Sequence, residues 1–275
     1  MTRDILDDAN TGGRFVRLDD GVIHVVVDGA ADGPAVVLLH GSGASLRSWD
    51  PMAAILAASH RVIRIDLLGH GRSGKPAGDV YQTAEQGRRV GQVLDRLGVP
   101  RAVLLAHSSG GLVATALSEQ RPELVGALAL IDTGPSLDAF IAQDFAFDPE
   151  QWPELSDEQI RRLMRPAFSR AGFRIPRQLI ADVRAMTLHS FTATMRAGNE
   201  YLRQRPLPDR LAPLGKPLLV LFGEQDRRWR PASAADYRAV PGARVELLPG
   251  LGHSPILEDP PRTAEFLLSF IALHA

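Results

Sequence analysis

The sequence predicts an α/β fold, a mostly parallel sheet flanked by helices. Short apolar runs alternate with longer segments of helical periodicity along most of the 275 residues, as expected for strands joined by crossover helices. The apolar runs are almost continuously hydrophobic, which is typical of strands covered by helices on both faces. With 45% hydrophobic residues, a chain of this length can bury a large core without disulfides or metals.

The strand candidates follow one another along the chain. Residues 14–19 and 22–28 form a predicted hairpin, with Asp20 and Gly21 as the favoured turn pair. The later candidates are residues 35–39, 61–66, 101–106, 125–131, 217–222 and 243–248.

The clearest helix signal lies between two of these strands. Thr83 and Gln86 have the spacing of a capping box, and Gly98 is placed to end the helix. The apolar face between them consists of Val90, Val93, Leu94 and Leu97. Further helices are predicted near residues 109–119, 231–239 and 261–273.

The strand pattern stops between about residues 135 and 205. This stretch is rich in Phe, Trp, Met and Arg at helical spacing, with prolines between the segments. It is interpreted as a helical cap that lies over the sheet. The predicted organisation is therefore a core formed by residues 1–134 and 206–275, interrupted by a cap of residues 135–205.

Composition excludes several classes of function. The formal net charge of −1 gives no electrostatic footprint for nucleic acid or an anionic membrane. The absence of cysteine excludes disulfides, thiolate metal sites and a cysteine nucleophile. The N-terminus has no apolar signal segment, and no run is long enough to span a bilayer. These features predict a cytoplasmic protein that binds neither nucleic acid nor membrane; they make no prediction of its oligomeric state.

The central chemical signal surrounds Ser108. An apolar strand runs into His107-Ser108-Ser109-Gly110, and a helix pattern follows directly. A serine on such a turn is raised above the sheet beside a helix N-terminus, where N–H groups can meet an oxyanion. The residues two before and two after it must be small, and these are Ala106 and Gly110. The alternative is a loop serine that caps a helix.

A serine nucleophile needs a base and an acid that orients the base. His253 lies in a glycine-flanked loop after a predicted strand and is the candidate base; the alternative is an ordinary surface histidine. Asp226 lies just beyond another strand end and is the preferred acid. Glu224 and Asp132, which also follow strands, remain rival acids.

Two glycine-rich loops follow strands. In His40-Gly41-Ser42-Gly43, the glycines allow close backbone approach. We expect the N–H of Ser42 to form an oxyanion hole with that of Ser109, although a plain turn is the alternative. Residues 69–74 match G-x-G-x-x-G, but loop residues rather than a helix follow, so no dinucleotide site is predicted.

Together these motifs resemble the α/β-hydrolase family, in the family's chain order of Ser, Asp and His. The resemblance covers nearly the whole chain outside residues 135–205. It implies an eight-stranded, mostly parallel sheet with a cap after the sixth strand, a Ser108–Asp226–His253 triad, and Ser42 and Ser109 as oxyanion donors. Ala106 departs from the family's usual glycine.

The predicted function is a serine hydrolase that cleaves an ester, lactone or thioester of a mainly apolar small molecule, without metal or organic cofactor. Phe140, Trp152, Phe191 and Met195 are the candidate pocket residues, within a wider set that adds Phe145, Phe147, Phe168, Phe173 and Met186. Hydrolysis of a carbon–carbon bond, with Arg196 and Asn199 holding a carboxylate, is the alternative. An acyltransferase, a cofactor-free haloperoxidase and a non-catalytic ligand-binding protein remain open.

Overall fold

A single nine-stranded sheet organises the chain. The computed structural model describes residues 4–8, 12–143 and 149–275. The strands are β1 (Ile5–Asp7), β2 (Arg14–Leu18), β3 (Gly21–Asp28), β4 (Ala35–Leu39), β5 (Arg61–Ile65), β6 (Ala102–His107), β7 (Val125–Ile131), β8 (Leu218–Gly223) and β9 (Arg244–Leu248). Their order is β1-β2-β3-β5-β4-β6-β7-β8-β9. The pairs from β1 to β5 along this order are antiparallel, and all later pairs are parallel.

The predicted α/β fold is confirmed, with one more strand than expected. The extra strand is β1, which pairs antiparallel with β2 through Ile5 opposite Val16. Only three residues long and set in an acidic segment, it has no hydrophobic pattern to reveal it. Backbone pairing at the sheet edge forms it instead. The helical insertion consequently follows the seventh strand rather than the sixth.

The hairpin of β2 and β3 is confirmed, but its turn lies one residue earlier than predicted. Leu18 pairs with Gly21, so the two loop residues are Asp19 and Asp20. Gly21 opens β3 instead of occupying the turn. A Cβ at Gly21 would lie 2.9 Å from Leu68 Cδ1, so a larger residue at this position would crowd the Leu68 side chain.

Helices cover both faces of the sheet. The α-helices are α1 (Asp50–Leu56), α2 (Thr83–Arg96), α3 (Gly110–Gln120), α4 (Asp157–Met164), α5 (Arg177–Arg184), α6 (Leu188–Gln204), α7 (Leu207–Leu211), α8 (Pro255–Glu258) and α9 (Pro260–His274). Short 3-10 helices span Leu46–Trp49, Leu137–Ala139, Pro149–Glu154, Arg165–Ala167, Ala212–Leu214 and Pro231–Ala239.

The predicted capping box of α2 is wrong, although the helix itself is confirmed. Its N-cap residue is Gln82, which makes no side-chain cap bond. The Gln86 side chain donates instead to the carbonyl of Leu68 at 2.9 Å. Gly98 follows the helix with φ of +65°, so its predicted role as the stop is confirmed.

The central strands bury both of their faces. In β4, Val37 and Leu39 join the core on the side of α2 and α3, whereas Val36 and Leu38 join the core on the side of α1 and α9. This alternation follows from the two-residue period of a strand. It explains why such strands are continuously apolar.

Between β7 and β8, the described residues form helices joined by loops and no strand of the sheet. Its helices α4 and α5 pack around a separate apolar cluster of Trp152, Leu155, Ile160, Ile180, Val183 and Met186. In contrast, Tyr201 and Leu202 of α6 belong to the main core. We call residues 135–205 the helical insertion and propose, on this division, that it acts as the cap. Within the described ranges, no helix is both long and apolar enough to cross a membrane.

Two glycines of α2 test the packing of α2 against α3. A Cβ at Gly87 would lie 2.8 Å from the backbone N of Leu117, whereas the nearest atoms to one at Gly91 all belong to side chains, the closest being Leu117 Cδ1 at 3.2 Å. Alanine raises helix propensity by about 1 kcal/mol at either position. We expect Gly87→Ala to lower the free energy of unfolding by about 1–3 kcal/mol and Gly91→Ala to change it by less than about 1 kcal/mol. Urea unfolding of both variants checks this; equal effects would contradict the close backbone packing.

Candidate active site

Ser108 lies on a sharp turn between β6 and α3. Its φ is +53°, a left-handed conformation that costs a non-glycine residue roughly 1–3 kcal/mol. Three hydrogen bonds hold the turn: the Ser108 N–H donates to Ile131 O at 2.8 Å, and Ser108 O accepts from Gly111 N and Thr133 Oγ1, each at 2.9 Å. The strain therefore persists because the surrounding backbone fixes it.

The positions on either side of Ser108 are tightly packed. A Cβ at Gly110 would lie 2.6 Å from the carbonyl oxygen of His40, so only glycine fits there. Ala106 is fully buried in the main core, and the fold accommodates its methyl group. The departure from the family's glycine at this position leaves the turn intact.

Ser108, His253 and Asp226 form one hydrogen-bonded line. The Ser108 Oγ lies 2.9 Å from His253 Nε2, and His253 Nδ1 lies 2.8 Å from Asp226 Oδ2. His253 and Asp226 are both buried. The three residues follow β6, β9 and β8, whose carboxyl ends meet at one sheet edge.

Of the three candidate acids, Asp226 is the one bonded to His253. Its Oδ1 accepts the backbone N–H groups of Arg228 at 2.6 Å and Trp229 at 3.2 Å. Burial alone would raise the pKa of Asp226, but His253 and these N–H groups outweigh burial and lower it. Asp226 therefore stays ionised. Glu224 is exposed and directs its N–H to Leu248.

Asp132 lies beside this line as a second acid. It is fully buried after β7, its Oδ1 accepts from Gly223 N at 2.8 Å, and it has φ of +47°. A carboxylate oxygen of Asp132, one of Asp226 and a ring nitrogen of His253 lie within 4.8 Å of one another. Burial and then the charge of Asp226 raise the pKa of Asp132 well above its ordinary value. The pKa values of the two acids are thus shifted in opposite directions.

The two predicted oxyanion residues lie together next to Ser108. A Cβ at Gly41 would lie 2.8 Å from the Ser108 Cβ, and the hydroxyls of Ser42 and Ser109 are 2.9 Å apart. Among the described residues, the N–H groups of Ser42 and Ser109 have no hydrogen-bond acceptor. Both donors are therefore available to a ligand.

His40 holds the loop that carries Ser42 through two hydrogen bonds. The sequence did not reveal this role. Its Nε2 accepts from Leu67 N at 3.0 Å, so its Nδ1 carries the proton and donates to Gly41 O at 2.8 Å. Burial lowers the pKa of His40, which keeps the ring in this neutral form.

His107 is a second contributor that sequence reasoning missed. Its Nε2 donates to the carbonyl oxygen of His253 at 2.7 Å and so holds the backbone of the candidate base. Burial lowers the pKa of His107 to about 3. Its place directly before Ser108 was the one available signal.

The predicted pocket residues lie in different surroundings. Trp152 is buried in the insertion, with its ring 4.8 Å from that of Phe191. Phe191 approaches the oxyanion loop, 3.7 Å from where a Cβ of Gly43 would be. Phe140 packs against Trp229 at 5.3 Å and is 42% exposed, and Met195 is 39% exposed.

The other predicted pocket residues that the structure describes pack against one another or within the insertion. Phe168 and Phe173 stack on each other at 4.8 Å, and Met186 belongs to the insertion's own cluster. Phe145 and Phe147 lie outside the described residues.

A small cavity lies beside Ser42 and Ser109, between the sheet edge and α6, and none of the predicted pocket residues lines it. It is lined by Ser42, Leu67, His70, Tyr81, Thr83, Gln86, Ser109, Leu112, Val113, Thr194 and Gly198. Burial lowers the pKa of His70 to about 3, so this lining carries no charge.

The raised pKa of Asp132 can be tested with the variant Asp132→Asn. Folding raises the pKa of Asp132 above its ordinary value of 3.8. Its contribution to the free energy of unfolding is therefore complete below pH 3.8 and is lost as the pH rises toward the raised pKa of the folded protein. Asparagine cannot ionise, so the variant does not suffer this loss. The unfolding free energy of the variant minus that of the unsubstituted protein should rise by at least about 1 kcal/mol from pH 4 to pH 8. Urea unfolding at both pH values measures this, with the exposed Asp138→Asn as control. An identical pH dependence for Asp132→Asn would refute the assignment.

Comparisons with known proteins identify the family. A family model for the alpha/beta hydrolase fold matches residues 34–260. The acetyltransferase component (dihydrolipoyllysine-residue) of the acetoin cleaving system of Pseudomonas putida is 30% identical, over 97% of this chain and 69% of its own. An sn-1-specific diacylglycerol lipase of Mus musculus is 27% identical, over 90% of this chain and 84% of its own. A crystal structure of a hydrolase from Pseudomonas aeruginosa superposes with a TM-score of 0.79 at 27% identity, covering 96% of this chain and 99% of its own. The chain belongs to the α/β-hydrolase fold family.

Proposed function

We propose that the protein is a serine hydrolase that cleaves a carboxylic ester, lactone or thioester of a mainly apolar small molecule. The observation that carries the proposal is the hydrogen-bonded line from Ser108 through His253 to Asp226, with distances of 2.9 Å and 2.8 Å. A serine hydroxyl becomes a nucleophile when an adjacent base takes its proton. This geometry provides that base, already oriented by an ionised acid.

The proposed reaction proceeds through an acyl-enzyme. Ser108 Oγ attacks the substrate carbonyl while His253 Nε2 takes the hydroxyl proton, and Asp226 stabilises the resulting imidazolium. The imidazolium then protonates the leaving group as its bond to the carbonyl carbon breaks. In the second half, His253 takes a proton from water, the hydroxide oxygen attacks the acyl carbon, and the acid leaves as Ser108 regains its proton.

The oxyanion of each tetrahedral intermediate is proposed to bind the N–H groups of Ser42 and Ser109. Both lie next to Ser108, and neither has an acceptor among the described residues. Donors of this kind typically contribute a factor of about 10²–10³ each. The free N–H pair also favours a catalytic serine over one that merely caps α3.

The surroundings of the site favour an uncharged acyl group. The cavity beside Ser42 and Ser109 has an uncharged lining, and Phe191 adds an apolar surface near Gly43. Among the relatives, one is named as a lipase, which supports ester cleavage, and another as an acetyltransferase component. The family therefore does not decide the acceptor of the acyl group; we propose water.

The nucleophile assignment predicts that a fluorophosphonate labels the protein at Ser108. Ser108→Ala should abolish both this labelling and the hydrolysis of p-nitrophenyl esters, because no other hydroxyl faces His253 Nε2 in the part of the chain described. The matched control is Ser59→Ala, which removes an exposed hydroxyl. Undiminished labelling of Ser108→Ala would refute the assignment.

Substrate choice separates ester hydrolysis from carbon–carbon bond hydrolysis. Arg196, expected to hold a carboxylate in the second case, is 73% exposed and pairs with Asp79 at 3.5 Å; Asn199 is exposed as well. We therefore expect turnover of p-nitrophenyl butyrate and none of a dienoate ring-cleavage product, both followed by absorbance. Faster turnover of the dienoate would reverse the choice.

A further inference from the structure

Glu258 is a buried carboxylate that the proposed mechanism does not use. It ends α8, five residues after His253, and is 2% exposed. No Lys, Arg or His side chain of the described ranges pairs with it. Four backbone N–H groups bind it instead, so its charge is satisfied entirely by backbone donors.

The four donors come from two separate parts of the chain. Ser169 N at 3.1 Å and Arg170 N at 2.6 Å belong to the helical insertion. Gly252 N at 3.1 Å and Ser254 N at 3.4 Å flank His253. One carboxylate thus joins the insertion to both neighbours of the candidate base.

The same segment of the insertion also reaches the loop of the candidate acid. The Ser169 hydroxyl donates to Gln225 O at 2.7 Å, one residue before Asp226. The fit against the base loop is close: a Cβ at Gly252 would lie 2.7 Å from Ser169 N and 2.9 Å from Glu258 Oε1. Ser169 therefore contacts both loops that carry the imidazole and its acid.

We propose that Glu258 is a positioning residue. It couples the binding of Ser169 and Arg170 to its carboxylate with the position of the His253 loop. The proposal rests on the serine-hydrolase function proposed above. When the segment of Ser169 and Arg170 is bound, the carboxylate has four donors and holds the loop at Gly252 and Ser254. When the segment leaves, two donors are lost, the carboxylate takes up water, and the base loop loses its alignment with Ser108.

The coupling follows from the two anchors of His253. The His107 ring, on β6, holds the His253 carbonyl from the sheet. Glu258 holds the N–H groups on either side and shares its oxygens with the insertion. One anchor is independent of the insertion and the other is not, so the seated insertion completes the geometry of the base.

The test uses Glu258→Gln with the exposed Glu265→Gln of α9 as matched control. A glutamine amide turns an N–H group toward N–H donors, so it should release the segment without removing a catalytic group. We expect kcat for p-nitrophenyl acetate to fall at least about tenfold with KM changed less than about threefold. Amide hydrogen exchange should accelerate in peptides covering residues 165–173 and 250–258 but not in the central strands. Glu265→Gln should match the unsubstituted protein in each measurement.

A second variant covers the case in which Glu258→Gln does not fold. Gly252→Ala keeps the carboxylate but places a methyl group against both Ser169 and Glu258 Oε1, so it should separate the two and give the same kcat loss and local exchange. Retention of kcat within twofold despite faster local exchange would overturn the coupling, as would faster exchange throughout the sheet. Fluorophosphonate labelling of the unsubstituted protein is run in parallel. Its failure would overturn the hydrolase function itself, whereas labelled protein with an unaffected Glu258→Gln variant overturns only the coupling.

Discussion

The parallel run of strands from β5 to β9 is the constraint on which the site depends. Parallel strands place all their carboxyl ends at one edge of the sheet, so the residues that follow them meet there. Ser108 follows β6, Asp132 follows β7, Asp226 follows β8 and His253 follows β9. The chain separates Ser108 from His253 by 145 residues, and β7 and β8 lie between their strands, yet the loops at this shared edge bring them into hydrogen-bond contact.

Crowding at this edge requires two carboxyl groups to coexist near one imidazole. The arrangement is stable because their surroundings differ. Asp226 receives two N–H groups and the His253 ring, whereas Asp132 receives only Gly223 N and is fully buried. The pKa values of the two acids therefore move in opposite directions. The negative charge is therefore favoured on Asp226, the acid that is bonded to the imidazole.

Elements buried by the core were predictable from sequence, and those formed by tertiary contact were not. The strands β4, β6, β7 and β8 are buried and mostly apolar on both faces, and they were found to within a residue or two. The strand β1 and the cap of α2 escaped because edge pairing and a long-range bond to Leu68 determine them. Ser108, His253 and Asp226 were proposed from residue type and position after strands. His40, His107 and Glu258 each also bind a backbone group far away in the chain, and no local pattern encodes such a contact.

The insertion is attached to the core in two physically different ways, and this bears on how it could open. Tyr201 and Leu202 of α6 are buried in the main core, and exposing one such side chain costs roughly 1.5–3 kcal/mol. Ser169 and Arg170 are held by polar contacts to Glu258 and Gln225. Water can replace those contacts at a small net loss. We therefore expect the polar contacts of Ser169 and Arg170 to break before the apolar packing of α6, and these polar contacts are the ones joined to the loop of the base.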